Sequence, residues 1–273
     1  MDTAVSIAFS LAVIAYSVAT TLYFFRLAPQ TSERVRRSSW PGRILLLAVI
    51  LHGFHICAAS ILTQLCPVAS LQFALSLAGW VAVMTFLLMA RRAKVEALGA
   101  FVSPLALTFL TASQFLEGQG VRPSISRAML AAHISSNLLG LGFVLLGSAA
   151  AAFYLLVDQL LRQKKLGSLG RFPSLGALDR TSSQLLLLSM PFLTLGAVTG
   201  GMFFTQIGAG SPAMILRAVF GYIAWAIVTV VLILRALSVG SIKRWAQGTV
   251  VAGFAVLAIL ALYFFRAMGG AGA

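Results

Sequence analysis

All three histidines of this 273-residue chain, His52, His55 and His133, fall inside long apolar runs, and every acidic residue lies in a loop or at a helix end. An ionisable side chain within such a run is expensive to keep there and marks a functional position by default. His52 and His55 are three residues apart, so a helix puts them on one face. His133 lies in a later run, followed by Ser135, Ser136 and Asn137, with Asn137 on the same face at i+4. Neutral imidazoles from two helices in apolar surroundings are suited to bind a haem iron axially, with helix walls packing the macrocycle. The competing reading is that each histidine hydrogen-bonds a neighbouring helix, as polar side chains in membrane bundles do. Asn137 then either steers the ring of His133 or serves as interhelical glue.

The runs that must position these residues set the class of the protein. The chain is 60% hydrophobic and 10% charged, with a mean hydropathy of +0.97, whereas soluble domains carry about 25% charged residues. Eight apolar stretches recur, over 4–25, 44–65, 71–90, 98–116, 128–157, 183–204, 214–234 and 249–265. Each can cross the ~30 Å of hydrocarbon in a bilayer as a helix. Backbone amides in lipid must be satisfied within the segment, and the runs lack the strict alternation of barrel strands. The expectation is an all-α, polytopic membrane bundle of about eight transmembrane helices, folded as a single domain over 1–273.

The net charge of +14 sits in short loops, with no basic tail or aromatic-basic stripe, so it reads as a topology signal rather than a nucleic-acid face. Of 20 Lys and Arg, 16 occupy one alternating set of loops and 4 (Arg122, Arg127, Arg217 and Arg266) the other. The positive-inside rule puts the rich set in the cytoplasm and both termini outside. No basic residue precedes the first run, which predicts a retained helix rather than a cleaved signal. At ~1.5 Å of rise per residue, His52 sits about 12 Å above the cytoplasmic edge, His55 about 16 Å and His133 about 22 Å. Depth therefore favours His55 as the mate of His133.

Weaker signals surround these. Cys57 and Cys66 form no C-x-x-C pair, and Cys66-Pro67 is either a thiolate presented to haem or a capping cysteine. Gly140, Gly142 and Gly147, with Gly196, Gly200 and Gly201, allow close helix approach or admit a flat ring. Pro104 and Pro191 are expected to kink their helices. A polar segment holding Gly167, Gly170, Pro173 and Gly176 separates five helices from three. No convincing internal repeat is present, which disfavours duplicated transporter folds. No nucleophile and base pair, zinc site or phosphate loop is visible, so the chain is not expected to be an enzyme.

Three stretches resemble one family. Ala132-His133-Ile134-Ser135-Ser136-Asn137-Leu138-Leu139-Gly140, continuing through Leu145-Leu146-Gly147-Ser148, is similar to the histidine helix of cytochrome c assembly proteins that handle haem. Leu51-His52-Gly53 resembles that family's earlier intramembrane histidine, and Ala218-Val219-Phe220-Gly221-Tyr222-Ile223-Ala224-Trp225 its tryptophan-bearing helix. Together these span most of the chain in matching order, and the layout is similar to the HemX-like branch. Two departures stand out. The stretch from Gly200 to Pro212 holds no tryptophan where the family's haem-presenting members carry a W-W-D segment, and no histidine lies near Ile233 to Arg235 or in the last helix. Two of four family haem ligands carry over, to His52 and His133, and in the family these serve different haems. The resemblance favours His52 where depth favours His55.

What the resemblance implies is a haem-handling protein of a bacterial cytoplasmic membrane that assists assembly of cytochrome c or other haem proteins. His133 with His52 or His55 would supply ligands, Asn137 would support them, and lipid, haem and other assembly subunits would be its partners. The rivals are a cofactor-free structural or regulatory subunit on the same scaffold and a small-solute transporter.

Overall fold

The computed structural model describes residues 3–28, 31–36, 38–64, 71–93, 95–115, 127–165, 172–207 and 212–269. Eight long helices account for most of them: α1 (Thr3–Leu27), α3 (Trp40–Thr63), α4 (Leu71–Ala93), α5 (Gly99–Ser113), α6 (Arg127–Arg162), α7 (Leu175–Ile207), α8 (Pro212–Ala236) and α9 (Ile242–Gly269). A single helical turn, α2 (Glu33–Arg36), precedes α3, and a 3-10 turn at Glu96–Leu98 precedes α5. Each apolar run expected to span thus falls on one helix, and no strand occurs among the described residues. Among the described residues six helices are long and apolar enough to cross a membrane, and α4 adds a shorter apolar stretch, Leu75–Ala90.

Helix is the form these runs take because side chains, not the backbone, face the surroundings. On α1 the outward face carries Ile7, Leu11, Ile14 and Val18, all exposed, at the spacing of a helical stripe. The opposite face buries small residues and tyrosines: Ala8, Ala12, Ala15, Tyr16, Ala19 and Tyr23. An apolar exterior over a small-residue interior suits lipid, where no hydrophobic force drives helices together and close fit must do so.

α6 is the centre of the bundle. Two thirds (67%) of its apolar window is buried, against 17% for α8. Its residues join both cores: Leu146, Ala149, Ala150 and Val157 pack with α1, α3, α4 and α5, while Leu138, Val144 and Leu145 pack with α7, α8 and α9. Glycines let the neighbours come close. A side chain at Gly99 would overlap the ring of Tyr23, one at Gly253 would overlap Ser148, and one at Gly79 would lie 3.1 Å from Phe109. Ser148 uses the approach of α9 to donate its hydroxyl to the Thr249 carbonyl at 2.7 Å.

The segment between α6 and α7 is shorter than the sequence suggests. Asp158 remains in α6, where it accepts from Arg162 one turn on at 2.9 Å, and Ser174 caps the start of α7 through the amide of Ala177. Gly176 is therefore helical, while Gly167 and Gly170 lie outside the described residues. Pro104 and Pro191 fall inside α5 and α7.

The helix ends bearing the basic loops are tied by ion pairs. Arg26 at the end of α1 reaches Glu96 at 2.8 Å and also donates to the Ser38 carbonyl. Arg235 at the end of α8 grips both carboxylate oxygens of Asp179 near the start of α7, each at 2.8 Å, and its guanidinium lies over the Trp245 ring at 5.2 Å. With one carboxylate on each of these arginines, part of the loop charge is neutralised within the fold.

Two outcomes follow. Gly99→Val should force Tyr23 aside and lower stability by about 1–3 kcal/mol, whereas Gly221→Ala, with nothing near the added methyl, should be close to neutral in the same detergent unfolding assay. For orientation, a single cysteine at Lys164 in a chain otherwise free of cysteine should resist an impermeant thiol reagent on intact cells and label after permeabilisation. Labelling in intact cells would reverse the topology.

Candidate functional site

His133 and Asn137 on α6 face the small-residue stretch of α7. The two helices run antiparallel in steady register, with His133 against Gly200, Asn137 against Gly196 and Gly140 against Leu193. A β-carbon at Gly196 would overlap the Asn137 amide, and one at Gly200 would sit 3.1 Å from His133 Cε1. The α6 and α7 glycines expected to allow close approach are thus filled at these positions by side chains. Gly201 makes similar room for the Tyr222 hydroxyl of α8, which donates to the Ala197 carbonyl at 3.1 Å.

The close approach brings polar groups of α7 to the His133 ring. Thr199 gives its hydroxyl hydrogen to the carbonyls of its own helix, Leu195 at 2.7 Å and Gly196 at 3.1 Å. Its oxygen lies 2.9 Å from His133 Nδ1. The Gly196 backbone carbonyl is a further hydrogen-bond partner of the His133 ring. Asn137 donates to the His133 carbonyl at 2.8 Å and lies 3.3 and 3.4 Å from the two ring nitrogens. Nearly equal distances place the amide nitrogen over the ring face, off the in-plane lone-pair direction. Ser136 also donates to the His133 carbonyl, at 3.1 Å.

On α3 the two histidines have different fates. His55 is buried, with Nδ1 3.3 Å from the Val5 carbonyl of α1 and its ring 5.4 Å from that of Phe9. A carbonyl only accepts, so Nδ1 carries the proton here and Nε2 the lone pair. His52 is fully buried and engages both nitrogens, Nδ1 with the Tyr16 hydroxyl at 3.1 Å and Nε2 with the Ser76 hydroxyl at 2.8 Å. It ties α1, α3 and α4 together. Trp80 closes the same region by donating to the Val49 carbonyl at 2.9 Å, over Gly53.

His133 and the α3 histidines are held by different helices. The hydrogen bonds described for His133 run to α6 and α7, and those of His52 and His55 to α1 and α4, with α4 packing on both α3 and α6. Among the described residues no group of three His, Cys, Asp or Glu side chains converges as a metal site. Cys57 is exposed, and Cys66-Pro67 lies outside the described residues. Neutral imidazoles are a donor chemistry that haem iron takes. A ligating histidine characteristically passes its other N–H to an oxygen, and in His52 the second nitrogen is engaged by a hydroxyl as well.

Sequence reasoning missed Thr199, Tyr16, Ser76 and Trp80. Thr199 carried a usable signal, a hydroxyl directly before Gly200-Gly201 in an apolar run. Tyr16 carried none, since an aromatic residue in a span reads as ordinary packing. Trp225 of the resembling stretch donates to Thr194 at 3.0 Å and so pins α8 to α7.

Residues 68–271 match the family described as cytochrome C assembly protein. A curated relative, cytochrome c biogenesis protein CcsA of Trieres chinensis, is 23% identical over 220 residues, which cover 68% of this chain and 69% of that protein. The family match takes in α4 to α9, and with them His133, Asn137, Thr199 and Trp225, while His52 and His55 precede it. A multi-pass helical bundle matched from its fourth helix to its last belongs to the cytochrome c assembly protein family.

Proposed function

We propose that this chain binds or passes haem in a bacterial cytoplasmic membrane, assisting assembly of cytochrome c or another haem protein without turning over a substrate. The observation that supports the reading is the place of His133, a buried imidazole on α6 inside the family-matched stretch, held by the Thr199 hydroxyl and the Gly196 carbonyl of α7. Asn137 holds the ring from its face and from the His133 carbonyl. Of the α3 pair, His55 gives its Nδ1 proton to a carbonyl and is the better donor, and His52 acts as a clamp between helices. Because His133 and His55 sit on different helix pairs, the geometry favours one ligand from each seat over a single iron held by both. Bound at either seat, haem supplies an iron that takes an imidazole nitrogen and can change oxidation state.

A second reading is a cofactor-free subunit that kept the scaffold. The absence of tryptophan between Gly200 and Pro212 and the doubly engaged ring of His52 favour it. Transport is the weakest alternative, since the acidic side chains among the described residues lie near helix ends.

Absorbance of the protein purified in mild detergent after haem supply separates these. A Soret band should appear and be lost or displaced in His133→Ala. His52→Gln should leave the band in place and instead lower thermal stability, by about 1–3 kcal/mol for a buried partner left unsatisfied. No band, with a stable partner co-purifying, would support the cofactor-free subunit.

A further inference from the structure

We infer that the inner face of α1 carries a file of water from the helix ends bearing the basic loops to His52, through which that buried ring exchanges its proton with the aqueous side. The inference is independent of any haem role. Among the described residues two buried side-chain polar atoms meet no hydrogen-bond partner, Thr20 Oγ1 and Arg26 Nε, and both lie on α1. Ser10, Ser17 and Thr21 on the same helix each give their hydroxyl hydrogen to the carbonyl four residues back, at 2.9, 2.8 and 2.9 Å. Thr20 makes no such bond, so its hydroxyl is left to a partner outside its own helix. Buried polar atoms are satisfied by protein or by ordered water, and a bare one is costly in an apolar bundle. Water is the partner that suits both atoms.

The polar groups of this face line up. Tyr16, Thr20 and Tyr23 fall at i, i+4 and i+7, on one side of the helix. Arg26 follows, with a side chain 12% exposed, and holds Glu96, 58% exposed, at the end of the file. Its guanidinium lies 6.0 Å from the centre of the Tyr23 ring, and the Tyr23 hydroxyl reaches the start of α3 beside Gly42. The rises from Tyr16 to Thr20, Tyr23 and Arg26 are about 6, 4.5 and 4.5 Å, and one water bonded to two partners spans about 5.5 Å. At the inner end the Tyr16 hydroxyl meets His52 Nδ1 at 3.1 Å and the Ser76 hydroxyl meets Nε2 at 2.8 Å. Both hydroxyls can donate or accept. A proton given up by a hydronium in the file therefore replaces the one that Tyr16 passes to the ring, and the ring briefly carries an N–H on each nitrogen, both given to hydroxyl oxygens. One proton then returns by the same path, so the outcome is exchange without net transport. His55 has no such freedom at Nδ1, because the Val5 carbonyl only accepts.

Thr20→Val keeps the shape and removes the hydroxyl, and Thr20→Ser keeps the hydroxyl. Tyr23→Phe removes the next hydroxyl along the file. The test uses the full chain in lipid vesicles, labelled at the histidine ring nitrogens, and follows by solid-state magnetic resonance how fast magnetisation passes from water protons to each ring. The His52 signal is assigned by its loss in His52→Gln. In the parent and in Thr20→Ser, His52 should receive magnetisation from water at the same rate. Thr20→Val and Tyr23→Phe should each slow that transfer several-fold, while His55 keeps its own rate. A His52 ring that receives nothing from water in the parent would make it a dry clamp and overturn the inference. So would an unchanged rate in Thr20→Val or Tyr23→Phe, or a fall that His55 shares, since the route ends at His52.

Discussion

A histidine inside hydrocarbon has to hand its N–H to an oxygen that the helices themselves provide, and the rest of this structure is arranged around three such transactions. Each histidine is met by a different kind of oxygen: the hydroxyls of Tyr16 and Ser76 for His52, the Val5 carbonyl for His55 and the Thr199 hydroxyl for His133. The choice of partner determines what the ring can do next. Two hydroxyls engage both nitrogens of His52, whereas the Val5 carbonyl settles which nitrogen of His55 carries the proton. The same three histidines, equivalent on a hydropathy plot, thereby differ in the oxygens that hold them.

Meeting these oxygens demands short distances between helix axes, and glycine supplies them. The α6–α7 seam is the clearest case, because His133 and Asn137 lie on one side and Gly200 and Gly196 on the other, in an antiparallel register that also sets Gly140 against Leu193. Close packing and polar satisfaction are one requirement here. Without the glycines the Thr199 oxygen would be out of reach of Nδ1, and without the hydrogen bond the imidazole would be a costly guest in an apolar core.

The eight helices could be read directly from the chain, since an apolar run of membrane length has few other forms to take. The three histidines stood out for the same reason, as polar interruptions of those runs. Their partners did not. Pairing His133 with His55 by depth compares heights alone and says nothing of the hydrogen bonds, which run from these histidines to α1, α4 and α7. Register between helices depends on which glycine meets which side chain, and periodicity along one helix carries no such information. The Gly196 and Gly200 spacing hinted at a seam, but not at the threonine between them or at the helix across from them. Membership in the cytochrome c assembly family agrees with the resemblance seen around His133 and Trp225, both inside the matched stretch, while the division of labour between His52 and His55 came only from their hydrogen bonds.

The central proposal is that His133 gives an imidazole nitrogen to iron. It is tested most directly by pulsed electron paramagnetic resonance on a protein in which His52 and His55 are both glutamine, leaving His133 as the sole histidine, isotope-labelled at its ring nitrogens and supplied with haem. The account predicts a hyperfine coupling from a labelled imidazole nitrogen in addition to those of the porphyrin. Porphyrin couplings alone would contradict it.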